Sequence, residues 1–481
     1  MSLITSTYAK QYPEKLAIYT HEEKLSYRDW NRLVEQTANW FDSLQSSHKT
    51  VGMYLPNGIP FLQIFAGAAA AGWVAVPFDL KWKEDEMLKR GALARPTIWI
   101  TTTTYVQKLK KLYTNVMLWE DCLVKIKQTL HIKPLQIKCS DPPFYMGFTS
   151  GSTGNPKAFI RSHQSWVESF ECSRRDFDIE EKDQVLIPGN LISSHFLYGA
   201  ISTLFLGGTV YLLEKFTTLQ TFSFLQTFPI TVLYLVPTMI EALHKGERII
   251  ETPLKIMSSG AKLEERSKQK MADIFPQHSL YEFYGASELS FVTVRANEHK
   301  RGSVGKPCHN VEIQIRNDNQ TMVKPYEVGK IFVRSKMTFI GYIEMGMDSA
   351  TIQEIHDEHG WVTVHDMGYL DEEGDLYLVG RENNMILYGG INIFPEEIES
   401  VLLLHPDVET AAIIGIPHAY WGQIAVAVIQ GKAAKNDLVR WCKARLASYK
   451  LPRKWYFIEK MPITSGGKIA RSQLKYLVKE A

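Results

Sequence analysis

Apolar positions in this chain gather into short saturated runs separated by polar helical stretches. In the two longest, 59–78 holds Gln63 as its only strongly polar residue and 196–213 has no charge. Each approaches the roughly 20 residues that a membrane helix needs. Each is also broken by glycine: Gly72 precedes WVAVP (73–77), and Gly207-Gly208 precedes TVYLL (209–213). A buried helix, a glycine stop and a strand apolar on both faces is how a parallel α/β sheet is written in sequence, so the pattern predicts packed layers and no integral membrane span.

The same alternation runs through the first 300 residues. VGMYL (51–55), TIWIT (97–101), QVLIP (184–188), VLYLVP (232–237) and KIMSSG (255–260) are predicted strands between helices, which implies doubly wound α/β layers. From about Gly302 the pattern shortens. VEIQI (311–315), GKIFVRS (329–335), WVTV (361–364) and DLYLVG (375–380) predict a small antiparallel sheet or β-barrel-like part, with a hairpin at Asp-Glu-Glu-Gly (371–374). After Arg381, a helix at 395–404, strands at 411–417, 424–431 and 455–459, and a helix at 438–446 predict a small α+β unit. The expected fold class is therefore α/β: a large domain over 1–382 and a small α+β domain over 383–481.

Composition narrows the class. The chain has 481 residues, 45% of them hydrophobic and 22% charged, as expected of a globular protein. Its 54 basic and 52 acidic residues are well mixed, which argues against a nucleic-acid partner. Cys122, Cys139, Cys172, Cys308 and Cys442 are scattered, with no C-x-x-C, so neither a disulfide framework nor a zinc cage is indicated. The first residues lack the apolar core of a signal peptide, and cytoplasmic is the expected location.

The segment with the most chemistry is TSGSTGNPK, 149–157. Its glycines let backbone N–H groups turn toward phosphate oxygens, its hydroxyls add donors, and its lysine adds charge. It is not a Walker A loop, because Asn155 and Pro156 separate Gly154 from Lys157. With YGASE (284–288), HDMG (365–368), GRENNMILYGG (380–390) and TSGGKIAR (464–471), in that order, the chain resembles the adenylate-forming superfamily, and within it the acyl-CoA synthetases. Ala158 stands where that family usually has glycine, Ser287 where it has threonine, and Asn383 where it usually has aspartate or lysine.

The resemblance implies ATP, Mg²⁺ and coenzyme A as reactants or cofactors. A carboxylate is a poor electrophile, and activating it brings one anion against another, so cations and oriented donors are needed where charge develops. By resemblance, Thr149, Ser150, Gly151, Ser152, Thr153, Gly154 and Lys157 hold the phosphates, and Gly260, Ala261, Tyr284 and Ser287 the adenine side. Asp366 and Arg381 hold the ribose. Glu288 is the metal ligand, Lys468 the catalytic lysine that bridges carboxylate and α-phosphate, Asn383 the hinge, and Gly389 and Gly390 the passage for the CoA thiol arm.

The acyl pocket is expected around His195, Phe196 and Tyr198. LISSHFLYG (191–199) contains no acid to pair an amino group, so an acyl or aryl acid fits better than an amino acid. His195 and Gly199 form an H-x-x-x-G similar to that of acyl-CoA ligases, and His195 is counted with Lys468 and Glu288 among the catalytic candidates. The expected reaction makes an acyl-adenylate, with a fatty acid as substrate, and then a CoA thioester. The alternatives are an o-succinylbenzoate- or coumarate-type aryl ligase, a ligase loading a carrier protein, and a degenerate binder. Retention of Lys157, Glu288, Asp366, Arg381 and Lys468 speaks against the last.

Overall fold

A computed structural model describes residues 7–129, 141–150, 156–246, 248–259, 263, 265–296, 300, 302–345, 350–389, 391–463 and 469–479. The chain divides into two compact units. The first comprises 1–299, 307–311 and 334–362, and the second 300–306, 312–333 and 363–481.

Two sheets build the first unit. One runs in the order Ser290–Ala296, His278–Ala286, Leu254–Ser258, Val232–Leu235, Gln184–Ile187, Thr209–Leu212, Leu16–Tyr19, Lys24–Ser26. Its interior pairs are parallel, and its edges are antiparallel hairpins. The other runs Ala350–Gln353, Gly341–Met345, Pro156–Ser162, Pro143–Ser150, Val74–Pro77, Thr50–Tyr54, Ile98–Thr101, Val116–Leu118. It is parallel from Pro143–Ser150 onward and antiparallel before it. Strands buried on both faces, such as VAVP at 74–77 and VLYL at 232–235, are covered by crossover helices, which explains their unbroken apolar sequences.

The two apolar runs resolve as expected. Helix Ile59–Ala70 starts with Pro60 in its first turn and stops at Gly72, whose φ is +70°, before the Val74–Pro77 strand. Helix Ser194–Leu206 stops at Gly207, with φ +90°, before Thr209–Leu212. No helix among the described residues is long and apolar enough to cross a membrane. Helix His163–Arg175 touches Pro156–Ser162 of one sheet and Ser290–Ala296 of the other, so it lies between them. Buried Asn57 clips the strand ends together. Its Nδ2 donates to the carbonyls of Gly189 at 2.8 Å and Leu213 at 3.1 Å, and its Oδ1 accepts from the Leu191 N–H at 2.9 Å.

In the second unit a sheet ordered Glu312–Arg316, Gly329–Arg334, Asp366–Leu370, Leu376–Arg381 is followed by a second one. There Gly422–Gly431 pairs with Val408–His418, Ile386–Tyr388 and, in parallel, Lys454–Phe457. Helices Pro395–Leu403, Lys435–Lys443 and Arg471–Lys479 bury Ile398, Leu402, Leu438, Cys442 and Leu474 in its core. The hairpin at 371–374 forms as predicted: Asp371 Oδ1 accepts from the N–H groups of Glu373 and Asp375, and Gly374 takes φ +82°.

One expectation differs from the structure. WVTV (361–364) is not a strand, and only Val362 makes a bridge. Asp357 opens a turn there and takes the Trp361 N–H at 2.9 Å, while the buried indole lies under Arg334, 4.7 Å from its guanidinium carbon. These contacts take the place of a ladder. In the compact units the antiparallel sheet groups with the carboxy-terminal part. Helix Pro395–Leu403 packs on strand Leu376–Arg381, where Gly380 leaves room for Phe394 and Glu396.

Candidate active site

In the first unit the described ends of the phosphate segment lie on two antiparallel strands. Strands Pro143–Ser150 and Pro156–Ser162 place Thr149 opposite Lys157. Gly151, Ser152, Thr153 and Gly154 lie outside the described residues, as does the side chain of Ser150. The next strand, Gly341–Met345, pairs Tyr342 with Phe159. Consequently the exposed Lys157 ammonium stands 5.0 Å from the Tyr342 ring centre, within cation–π range.

The same tyrosine reaches the proposed metal ligand. Its hydroxyl donates to Glu288 Oε1 at 2.9 Å. Glu288 is 7% exposed and sits in the turn between His278–Ala286 and Ser290–Ala296, where its carbonyl accepts from the Phe339 N–H at 2.7 Å. Buried Arg161 braces this turn, donating to the carbonyls of Ser287 at 2.7 Å and Met337 at 2.6 Å and to Ser165 Oγ at 3.1 Å. Burial pushes its pKa down to about 10, against the opposing pull of Tyr145 and Glu288, so it stays charged at neutral pH. Tyr284 is buried in the same edge hairpin.

Tyr342 and Arg161 were not legible as site residues. FIGYIEM and IRSH carry no motif, and their roles depend on strand pairing between distant segments.

His195 opens helix Ser194–Leu206. Since a carbonyl can only accept, its Nε2–H donates to Leu235 O at 3.1 Å, which leaves Nδ1 as the lone-pair nitrogen. Nδ1 is buried with no partner among the described residues. The ring packs against Phe196, Tyr234 and Phe283, and this burial lowers its pKa to about 4, so the imidazole is neutral. Gly199 explains the H-x-x-x-G spacing: a β-carbon there would stand 2.8 Å from Tyr234 and 2.9 Å from Ile187. Phe196 lies over Gly189 in the same way. Tyr198 is engaged in helix packing, its hydroxyl donating to Ser169 O at 2.8 Å and lying 2.8 Å from Ser173 Oγ.

In the second unit Asp366 and Arg381 are direct cross-strand partners, with Arg381 Nε donating to Asp366 Oδ1 at 2.8 Å. The aspartate is 6% exposed, while the arginine side chain is 52% exposed and open to a ligand. Asn383 is exposed in a single 3-10 turn, Glu382–Asn384. Gly389 has φ +55° in the turn after Ile386–Tyr388, where a β-carbon would come 2.9 Å from Trp421. Gly260, Ala261, Gly390 and Lys468 lie outside the described residues.

Arg471, the last residue of the lysine motif, binds Glu399 in a two-pronged pair at 2.6 and 2.7 Å and also donates to Ile413 O at 2.7 Å. Burial works against its charge, but Glu399 outweighs it and holds the pKa above the usual arginine value. The described end of the motif is thus anchored three residues beyond Lys468 in sequence.

Among the described residues no group of three or more His, Cys, Asp or Glu could hold a metal ion by itself. A single buried carboxylate such as Glu288 suits Mg²⁺, a hard cation that takes few protein oxygens beside phosphates and water.

Comparison with known proteins places this arrangement. Residues 6–343 match the AMP-binding enzyme family, and residues 397–468 match the AMP-binding enzyme C-terminal domain. The chain belongs to that family and is an acyl-CoA synthetase of the adenylate-forming superfamily. It is 51% identical to an uncharacterized acyl-CoA ligase of Bacillus subtilis, YhfT, over 99% of both chains. It is 29% identical to the putative long chain fatty acid-CoA ligase VraA of Staphylococcus epidermidis, over 97% of this chain and 96% of that one. Among solved structures, o-succinylbenzoate CoA synthetase (MenE) from Bacillus subtilis, in complex with the acyl-adenylate intermediate OSB-AMP, superposes with a TM-score of 0.87. The two are 25% identical, and the match covers 98% of this chain and 97% of that one.

Proposed function

We propose that the enzyme activates a fatty acid, using ATP to form an acyl-adenylate and pyrophosphate, and then transfers the acyl group to coenzyme A with release of AMP. The observation that carries the fatty-acid reading is the uncharged, aromatic surrounding of His195. A neutral imidazole among Phe196, Tyr234 and Phe283 offers an apolar tail no penalty and a substrate ammonium no partner. The long-chain acid in the name of the 29%-identical relative supports it. The same rings favour, as a second reading, an aryl acid of the o-succinylbenzoate type.

In this reading Lys157 and the hydroxyl-rich segment before it in sequence bind the phosphates. Glu288, oriented by Tyr342, holds Mg²⁺, which when bound neutralises phosphate charge. Asp366 accepts from the ribose hydroxyls and Arg381 donates to them. Lys468 meets the charge that develops between carboxylate and α-phosphate. Asn383 is the turning point between the two half-reactions, and Gly389 and Gly390 leave room for the thiol arm. Buried free thiols at Cys122, Cys172, Cys308 and Cys442 support a cytoplasmic setting.

The test is pyrophosphate release over a series of fatty and aryl acids, with and without CoA. The expected result is release that rises with alkyl chain length, with AMP turnover dependent on CoA. Preference for aryl acids would favour the second reading, and indifference to CoA would favour a carrier-protein acceptor.

A further inference from the structure

The residues on either side of Asn383 are tied to different parts of the second unit. Glu382 is tied backward, to the four-stranded sheet. Its Oε2 lies 2.8 Å from His365 Nδ1 and its Oε1 lies 3.0 Å from Lys330 Nζ. Its N–H also donates to His365 O at 2.9 Å. His365 holds φ +64°, a conformation that costs a histidine more than a glycine, and from it meets Glu382. These contacts with Lys330 and His365 hold the Glu382 carboxyl below the usual glutamate pKa, although burial acts in the other direction.

Asn384 is tied forward, to helix Pro395–Leu403. Its Nδ2 donates to Glu396 Oε1 at 3.2 Å. The other oxygen of Glu396 is buried without a partner among the described residues and faces the space left by Gly380. Burial raises the pKa of this carboxyl, with Glu399 adding to the rise and Arg471 opposing it. Between the two tethers only Asn383 is exposed.

We propose that Glu382 and Glu396 are positioning residues that confine the turning of the chain to Asn383, the first by fastening residue 382 to the sheet and the second by fastening residue 384 to the helix. This rests on the reading of Asn383 as the turning point between adenylation and thioester formation. With one free residue between two fastened ones, the change in φ/ψ has a single place to occur and the two end states are sharply defined. If either tether is lost, the flexible stretch lengthens and passage between the two end states slows.

The test compares Glu382→Gln, Glu396→Ala, Glu396→Gln and Asn383→Pro in the full-length enzyme. The readouts are amide exchange across 381–386, each half-reaction in single turnover, and continuous turnover with ATP, acid and CoA. Glu382→Gln and Glu396→Ala are expected to raise exchange about fivefold. They should also slow continuous turnover about five- to tenfold while each isolated half-reaction stays within about twofold. Glu396→Gln is expected to behave as the parent, because an amide oxygen accepts the same bond from Asn384. Unchanged exchange and turnover in Glu382→Gln would overturn the proposal, as would a single half-reaction falling as far as turnover does. If Asn383→Pro leaves continuous turnover intact, the turning-point reading itself fails, whatever exchange shows for the tethers.

Discussion

Tyr342 joins two charges that the motifs leave separate, with its ring beside the Lys157 ammonium and its hydroxyl on the Glu288 carboxylate. Tyr342→Phe keeps the ring and removes the donor. Pyrophosphate exchange should fall about tenfold, roughly the worth of one hydrogen bond to a charged group, with the Mg²⁺ requirement moving to higher concentration; an unchanged Mg²⁺ titration would exclude the orienting role. At His195 the folded pKa is about 4 against an ordinary 6.5, so the unfolded chain binds the proton more readily. The stability this represents is fully present above pH 6.5 and is lost as pH falls toward 4, to a limit of about 3 kcal/mol. Urea unfolding from pH 7 to pH 4.5 should show that loss, and His195→Asn should flatten it in part, since His163 is buried and depressed to about 4 as well. Neither tyrosine nor arginine carried a sequence signal at this site, whereas Glu288 did, because its neighbours in YGASE form a recognisable string.

Elements defined by local rules were legible from the chain, while those defined by a partner were not. The glycine stops at Gly72 and Gly207 ended the two apolar helices where expected, because a left-handed residue is a local requirement. Gly207→Ala should therefore cost about 1–2 kcal/mol in a denaturant titration, with the Tyr8 ring against the added methyl contributing to the strain. WVTV misled for the opposite reason: its alternation fits a strand, but Asp357 and Arg334 hold Trp361 in a turn. Glu399 and Arg471 are 72 residues apart, a pairing with no local signature. Arg471→Met leaves a largely buried carboxylate unpaired and should destabilise the second unit by about 3 kcal/mol, seen as a lower melting transition for that unit.

For the whole molecule, the order of motifs along the chain implied an enzyme with two half-reactions, and the prediction at this scale concerns their separation. Lys468→Ala should abolish adenylation yet spare thioester formation from supplied acyl-adenylate, and a bulky residue at Gly390 should do the reverse. Single-turnover assays of each step decide it, and equal loss of both steps in both variants would count against a two-state cycle. By itself, the sequence determined the α/β layering, the stops of its helices, the phosphate segment and the class of chemistry. These depend on periodicity, glycine conformations and contiguous strings of side chains. Only the tertiary structure decided that the antiparallel sheet packs with the carboxy-terminal part, that Arg161 and Tyr342 brace Glu288, and that Glu382 and Asn384 are fastened in opposite directions. Each of those depends on atoms brought within a few ångströms from distant positions, and the spacing of residues along a chain does not contain that distance.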